Sequence, residues 1–205
     1  MTAPEGCVRA EWTKLRTTPD AAWLLLVTVI VTLALGAAVC AAATTCGTKV
    51  LLSGVYAGQA PVAVLGVLVV SGEYSTGLIH TTLAAVPSRA TVMAAKAVVV
   101  AVAVAVTGTA MSLVALAEGS ELRAAGHAVA YLVLIAVLSV GVSAVVHDSA
   151  VAIGSVLGLL YLPPILAPLV ANPHVVEELA PMTAGLPVLT AWSLGALLVG
   201  TLRLR

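Results

Sequence analysis

Four histidines (His80, His127, His147, His174), three cysteines (Cys7, Cys40, Cys46) and scattered serines are the first side chains of this 205-residue sequence to weigh as metal ligands or nucleophiles. None stands in a spacing that such chemistry requires. A zinc protease needs two histidines one helical turn apart with a glutamate between them, and no H-E-x-x-H occurs. A nucleophile elbow needs glycine on both sides of its serine, and Gly141-Val142-Ser143-Ala144 lacks the second. A phosphate-cradling loop needs glycine directly before its lysine, whereas Gly47-Thr48-Lys49 carries threonine there. No C-x-x-C pair points to structural zinc. The reading is of a chain with no catalytic residue, no resident metal and no ATP site of its own. If it does energy-dependent work, another polypeptide hydrolyses the ATP.

The elements that carry these residues are apolar. Hydrophobic residues make up 61% of the sequence and charged residues 9%, where a soluble domain carries about 25% charged. The windows Ala21–Ala43, Val92–Ala117 and Val151–Ala171 each reach or exceed the roughly 20 residues that cross a bilayer. The sequence therefore predicts an all-α integral membrane protein, one transmembrane domain over 1–205. A formal charge of zero and the lack of any basic motif give no reason to expect nucleic acid. The run from Ala21 is too long for a signal-peptide core of about 7–15 residues and reads as an uncleaved first span.

Six spans are expected: Ala21 to about Ala43, Leu52–Ser71 with Pro61 as a kink, Thr91–Ala117, His127–Val146, Ser149–Ala171 after a tight His147-Asp148 turn, and Pro187–Leu202. The last, about 16 residues, is short for a crossing. Ahead of them, residues 1–17 read as an interfacial helix. Val8, Trp12 and Leu15 share its apolar face, with Arg9, Glu11, Lys14 and Arg16 on the polar one. Thr18-Pro19-Asp20 has the composition of a helix start. With both termini cytosolic, seven lysines and arginines (Arg9, Lys14, Arg16, Arg89, Lys96, Arg203, Arg205) lie inside and two (Lys49, Arg123) outside, the asymmetry that sets orientation. His80 and His147 then face the cytosol and His127 and His174 the outside, so they cannot form one cluster.

No charge falls at the middle of a span, which argues against a proton-coupled carrier or ion pump. Gln59 is the most polar side chain at mid-depth, suited to a helix-to-helix hydrogen bond or to contact with cargo. Gly54-x-x-x-Gly58 and Gly154-x-x-x-Gly158 are faces where helices can approach closely. Cys40 and Cys46 could meet as an outer-face disulfide, although six residues along one helix would hold the sulfurs apart. The alternative is that both are small packing residues. The polar stretch 72–89 between the second and third spans carries a short amphipathic helix: Glu73 starts it, Ile79 and Leu83 share a face, and Pro87 stops it. Such a cytosolic helix suits docking on a soluble motor.

These stretches resemble a family. Glu11-Trp12-Thr13-Lys14-Leu15-Arg16, then Leu65-Gly66-Val67-Leu68 leading to Gly72-Glu73-Tyr74-Ser75-Thr76-Gly77, Thr82-Leu83-Ala84-Ala85-Val86-Pro87 with Ala94-Ala95-Lys96, and Ala180-Pro181-Met182-Thr183-Ala184-Gly185 are similar to segments of permease subunits of ATP-binding-cassette exporters of the second permease class, actinobacterial type. His80 and Ser88 stand where relatives commonly carry arginine. The resemblance implies a dimer of six-span subunits, identical or paralogous, in the cytoplasmic membrane, above two separate ATPase subunits that hold ATP and Mg²⁺. It implies ATPase coupling through Trp12, Leu15, Glu73, Tyr74, Thr76, Ile79 and Leu83. Cargo contacts would come from Gln59, Pro163 and Pro164, and dimer packing from Gly54, Gly58, Gly154 and Gly158. The cargo would be hydrophobic or amphipathic: a drug, an antimicrobial peptide or a lipid-like molecule. A non-transporting immunity or scaffold protein is the competing expectation, and an intramembrane enzyme a third that lacks any visible nucleophile–base pair.

Overall fold

The structure, a computed structural model, describes residues 3–43, 52–85, 88–117, 121–169, 180–181 and 185–203. It is helical throughout, with no strand among the described residues: α1 (Ala3–Thr17), α2 (Pro19–Ala42), α3 (Val55–Ser75, entered by a 3₁₀ turn at Leu52–Gly54), α4 (Leu78–Ala85), α5 (Arg89–Ala117), α6 (Leu122–Val146), α7 (Ser149–Leu166, followed by a 3₁₀ turn at Ala167–Leu169) and α8 (Leu186–Arg203). Many of these helices are rich in valine, a poor helix former in water. In a bilayer the alternative is worse, because each backbone amide and carbonyl must be satisfied inside the segment. Six of them, α2, α3 and α5–α8, are long and apolar enough to cross a membrane, and the protein is a multi-pass membrane protein. At 18 residues, α8 is two residues longer than expected and rises about 27 Å.

α3 and α6 form the centre of the bundle, each with about half of its spanning window buried, whereas α2, α7 and α8 lie at the periphery. The main apolar core draws residues from α2 through α8, and a small second cluster joins Cys7 of α1 to Val92 and Ala95 of α5. α3, α6 and α8 run parallel. Ser143 Oγ donates to the Val67 carbonyl at 3.0 Å, Ser193 Oγ to Leu134 at 3.0 Å, and a Cβ on Gly200 would come within 2.9 Å of that of Ala144. α2 runs antiparallel to α3, with Thr28 beside Gly58 and Gly36 beside Gly54. The carboxy-terminal end of α8 thus lies at the same bundle end as that of α6, which is also the end where α3 stops and α1 docks.

Local signals act mostly as read, with two exceptions. The His147-Asp148 turn is tight: His147 takes a left-handed φ of 64°, and the Asp148 carboxylate accepts from the Val151 amide at 2.9 Å. Thr18, however, does not cap α2 with its side chain. Its hydroxyl turns back to the Lys14 carbonyl at 2.8 Å and closes the end of α1 instead. In the stretch 72–89, Glu73 does not begin the short helix but lies in the last turn of α3, which runs on to Ser75. The corner is Thr76-Gly77, where Gly77 takes φ 71°, a conformation glycine adopts at little cost, and α4 begins at Leu78. Pro87 lies outside the described residues.

Of the two alternatives for Cys40, the small packing residue is the one overturned. Cys40 is disulfide-bonded. α2 ends at Ala42 and Ala43 is extended, so the six-residue separation is not helical and does not hold the Cys40 sulfur away. Cys46 lies outside the described residues.

Candidate functional site

α1 lies across the bundle end with Cys7 and Glu11 turned inward and Arg9, Thr13 and Arg16 turned out. The inward placement of Glu11 corrects its assignment to the polar face beside Arg9. A carboxylate goes inside only where it meets cations, and here it meets two. Glu11 Oε1 accepts from Lys14 Nζ at 3.2 Å and Oε2 from Lys96 Nζ at 2.9 Å. Glu73 Oε1 in turn accepts from Lys14 at 2.6 Å and from Lys96 at 2.7 Å. Lys14–Glu11–Lys96–Glu73 is therefore a closed ring of alternating charge, neutral in sum, built from α1, α3 and α5.

The ring explains why an ammonium can sit where Lys96 does. Two turns into α5, its side chain is 0% exposed, a placement that costs several kcal/mol for an uncompensated ion. Two carboxylates and the Val69 carbonyl, at 3.4 Å, compensate it. Lys14 is the outer cation, with a side chain 44% exposed. Partial burial opposes its charge, but the bond to Glu73 and the charge of Glu11 outweigh this and hold its pKa above the ordinary lysine value. Next to the ring, burial and the charge of Glu11 push the Cys7 thiol up, away from reactivity.

Beside the ring opens a cavity of about 400 Å³ between α1, α2, α3 and α5. Glu11, Lys14, Asp20 and Glu73 lie along it, and Leu24, Leu65, Leu68 and Val99 continue it as an apolar channel. The second oxygen of Glu73, Oε2, is buried and has no hydrogen-bond partner.

The residues expected to couple to an ATPase are thus only partly together. Trp12 and Leu15 are half-buried on α1. Glu73 is in the ring. Tyr74 packs edge-on against His147, ring centroids 4.3 Å apart, with its buried hydroxyl unpartnered. Thr76 is exposed and bonds its hydroxyl to the Gly72 carbonyl at 2.7 Å. Ile79 faces the core, 3% exposed, which corrects its assignment to a docking face. Helix α4 turns Leu78, Thr81 and Ala84 outward instead. The Leu83 side chain lies outside the description.

At the opposite end, Gln59 is fully buried and accepts from the Tyr131 hydroxyl, while its amide nitrogen lacks a partner. Tyr56 packs edge-on against Tyr131 at 6.1 Å, and the Tyr161 hydroxyl donates to the Tyr56 carbonyl at 2.8 Å. Pro163 and Pro164 follow in the last turn of α7, half-buried. Gly54 and Gly58, expected at a dimer contact, are occupied within the chain: a Cβ on either would collide with Thr32 of α2. That face is not free for a second copy. Gly154 is exposed, with nothing within 4 Å of a built Cβ, and Gly158 meets only Leu162 of its own helix.

Glu11, Lys14, Lys96 and Tyr131 are the contact residues that sequence reasoning missed. A lysine embedded in the apolar run after Thr91 was the available signal, because such an ion requires acids from elsewhere in the chain. Among the described residues no group of three His, Cys, Asp or Glu is placed to hold a metal. No known protein family matches the chain, and no curated protein matches it at a significant level.

Proposed function

We propose that this chain is the membrane-spanning permease subunit of an ATP-driven exporter in the cytoplasmic membrane, with the α1 end facing the cytosol. The reading rests on the resemblance of its motifs to exporter permeases and, above all, on one structural observation. α1 and α4, the two elements beside the spans, lie at the same end, and the charge ring fastens α1 to the helices that α4 joins. A push on this platform would reach the ends of α3 and α5 together, as a switch between inward- and outward-facing arrangements requires. ATP and Mg²⁺ would be held by separate ATPase subunits docked on α1 and on Leu78, Thr81 and Ala84 of α4. A second permease copy, identical or paralogous, would pack through the open Gly154–Gly158 face. A hydrophobic or amphipathic cargo would pass near Gln59, Pro163 and Pro164.

The test is purification of the tagged chain from its native membrane, followed by identification of stoichiometric partners. A nucleotide-binding subunit is expected, and Leu78→Asp with Thr81→Asp, both outward-facing, is expected to release it by at least about tenfold while leaving the bundle folded. Recovery of the intact chain without any ATPase would overturn the reading in favour of a non-transporting immunity or scaffold protein.

A further inference from the structure

We propose that the cavity beside the charge ring is a binding site for an aminolipid, a phospholipid with a primary ammonium head, drawn from the bilayer leaflet on the α1 side. The inference needs only that the protein spans a membrane and stands apart from the permease reading.

Charge decides the head. Glu11, Asp20 and Glu73 line the cavity against Lys14 alone, since Lys96, the buried member of the ring, does not reach it. Counting all five, the site has one uncancelled negative charge. Asp20 lines the cavity with its side chain exposed. The unpartnered Oε2 of Glu73 is closed to any water-sized group, so the carboxylate open to a bound head is that of Asp20. A carboxylate oxygen can only accept, so it calls for a donor. A primary ammonium donates three N–H bonds, whereas the quaternary ammonium of a choline head donates none. Lys14 gives two of its N–H groups to Glu11 and Glu73 and, being 44% exposed, has a third to offer the lipid phosphate.

Depth decides the rest. The charged part of the cavity lies at the Thr18–Asp20 corner, where α1 gives way to the first span, which is the level of phospholipid headgroups. From there the wall runs along Leu24, Leu65, Leu68 and Val99, inside the spans, as an acyl chain requires. Gly72 also lines it, and a Cβ there would meet nothing within 4 Å, so the backbone leaves room that a side chain would fill.

The test uses the whole protein in detergent, incubated with mixed micelles of equimolar phosphatidylethanolamine, phosphatidylcholine and phosphatidylglycerol, with bound lipid counted by native mass spectrometry. Phosphatidylethanolamine is expected to be retained roughly tenfold over phosphatidylcholine, the ratio that one charge-assisted hydrogen bond supplies. Gly72→Leu, which fills the cavity and spares the ring, should abolish that preference with an unchanged circular-dichroism spectrum. Asp20→Asn, at an exposed position outside the ring, should reduce it. Equal retention of the three lipids, preferential retention of phosphatidylglycerol, or wild-type preference in Gly72→Leu would overturn the site. A parallel arm with dodecylamine separates lipid from free amphiphile. Binding of the amine with no phosphatidylethanolamine selectivity would refute the lipid assignment.

Discussion

At the α1 end of the bundle four formal charges close on one another, whereas at the far end the contacts joining α3, α6 and α7 are neutral: a tyrosine hydroxyl on Gln59, another on a backbone carbonyl, and two rings edge to edge. Both arrangements hold polar groups among apolar helices, but they fail differently. A neutral hydrogen bond in a membrane protein contributes about 0.6 kcal/mol on average, and its loss is tolerated. A buried ion that loses its partner leaves an uncompensated charge. Open space does not separate the two ends, because a cavity of about 500 Å³ between α2, α5 and α6 at the far end matches the one of about 400 Å³ beside the ring. One end is fixed by electrostatics, and the other by neutral bonds whose loss is tolerated.

The contrast can be broken most directly at Lys96. Lys96→Met leaves two inward carboxylates sharing Lys14, and a loss of about 3–5 kcal/mol is expected in reversible unfolding in mixed micelles. α1 should become open to protease in the same variant. A smaller effect is expected from Gly54→Val, which forces α2 away from α3 at the Thr32 carbonyl. Overpacking of this kind costs about 1–3 kcal/mol, and a lengthened α2–α3 distance between paired spin labels would register it. Smallest is Tyr131→Phe, which removes the hydroxyl from Gln59 for about 0.6–1.7 kcal/mol in the same unfolding assay. If Tyr131→Phe were to cost as much as Lys96→Met, the distinction between the two ends would collapse.

The spans were legible in the sequence because crossing a bilayer imposes a length and a composition that a single stretch displays by itself. Hence α5 and α6 end where the apolar runs end, at Ala117 and Val146. The ring was not legible for the opposite reason. Glu11 and Lys14 look like the wet face of an amphipathic helix, and Gly72-Glu73-Tyr74 looks like a loop, as long as each charge is judged against its neighbours in sequence. Their true partners are 59 and 85 residues away. Once Lys96 is known to compensate Glu73, the extension of α3 through Ser75 follows, since the glutamate no longer has to reach water. Ile79 was misjudged on similar grounds: a shared face with Leu83 is visible in the spacing, but not which side of α4 the bundle covers. The small-residue spacing at Gly54 and Gly58 correctly marked a close helix approach and could not say that the approaching helix belonged to the same chain.

The order of synthesis gives the ring a further consequence. Glu11 emerges from the ribosome 85 residues before Lys96, an interval of roughly 4–17 s at about 5–20 residues per second. Throughout that time the nascent amino terminus carries an acid whose second cation has not yet been made, and when Glu73 follows, two acids share Lys14. The ring therefore cannot close on the first helix before the third span supplies Lys96, and the contact that completes this half of the bundle is the last one made.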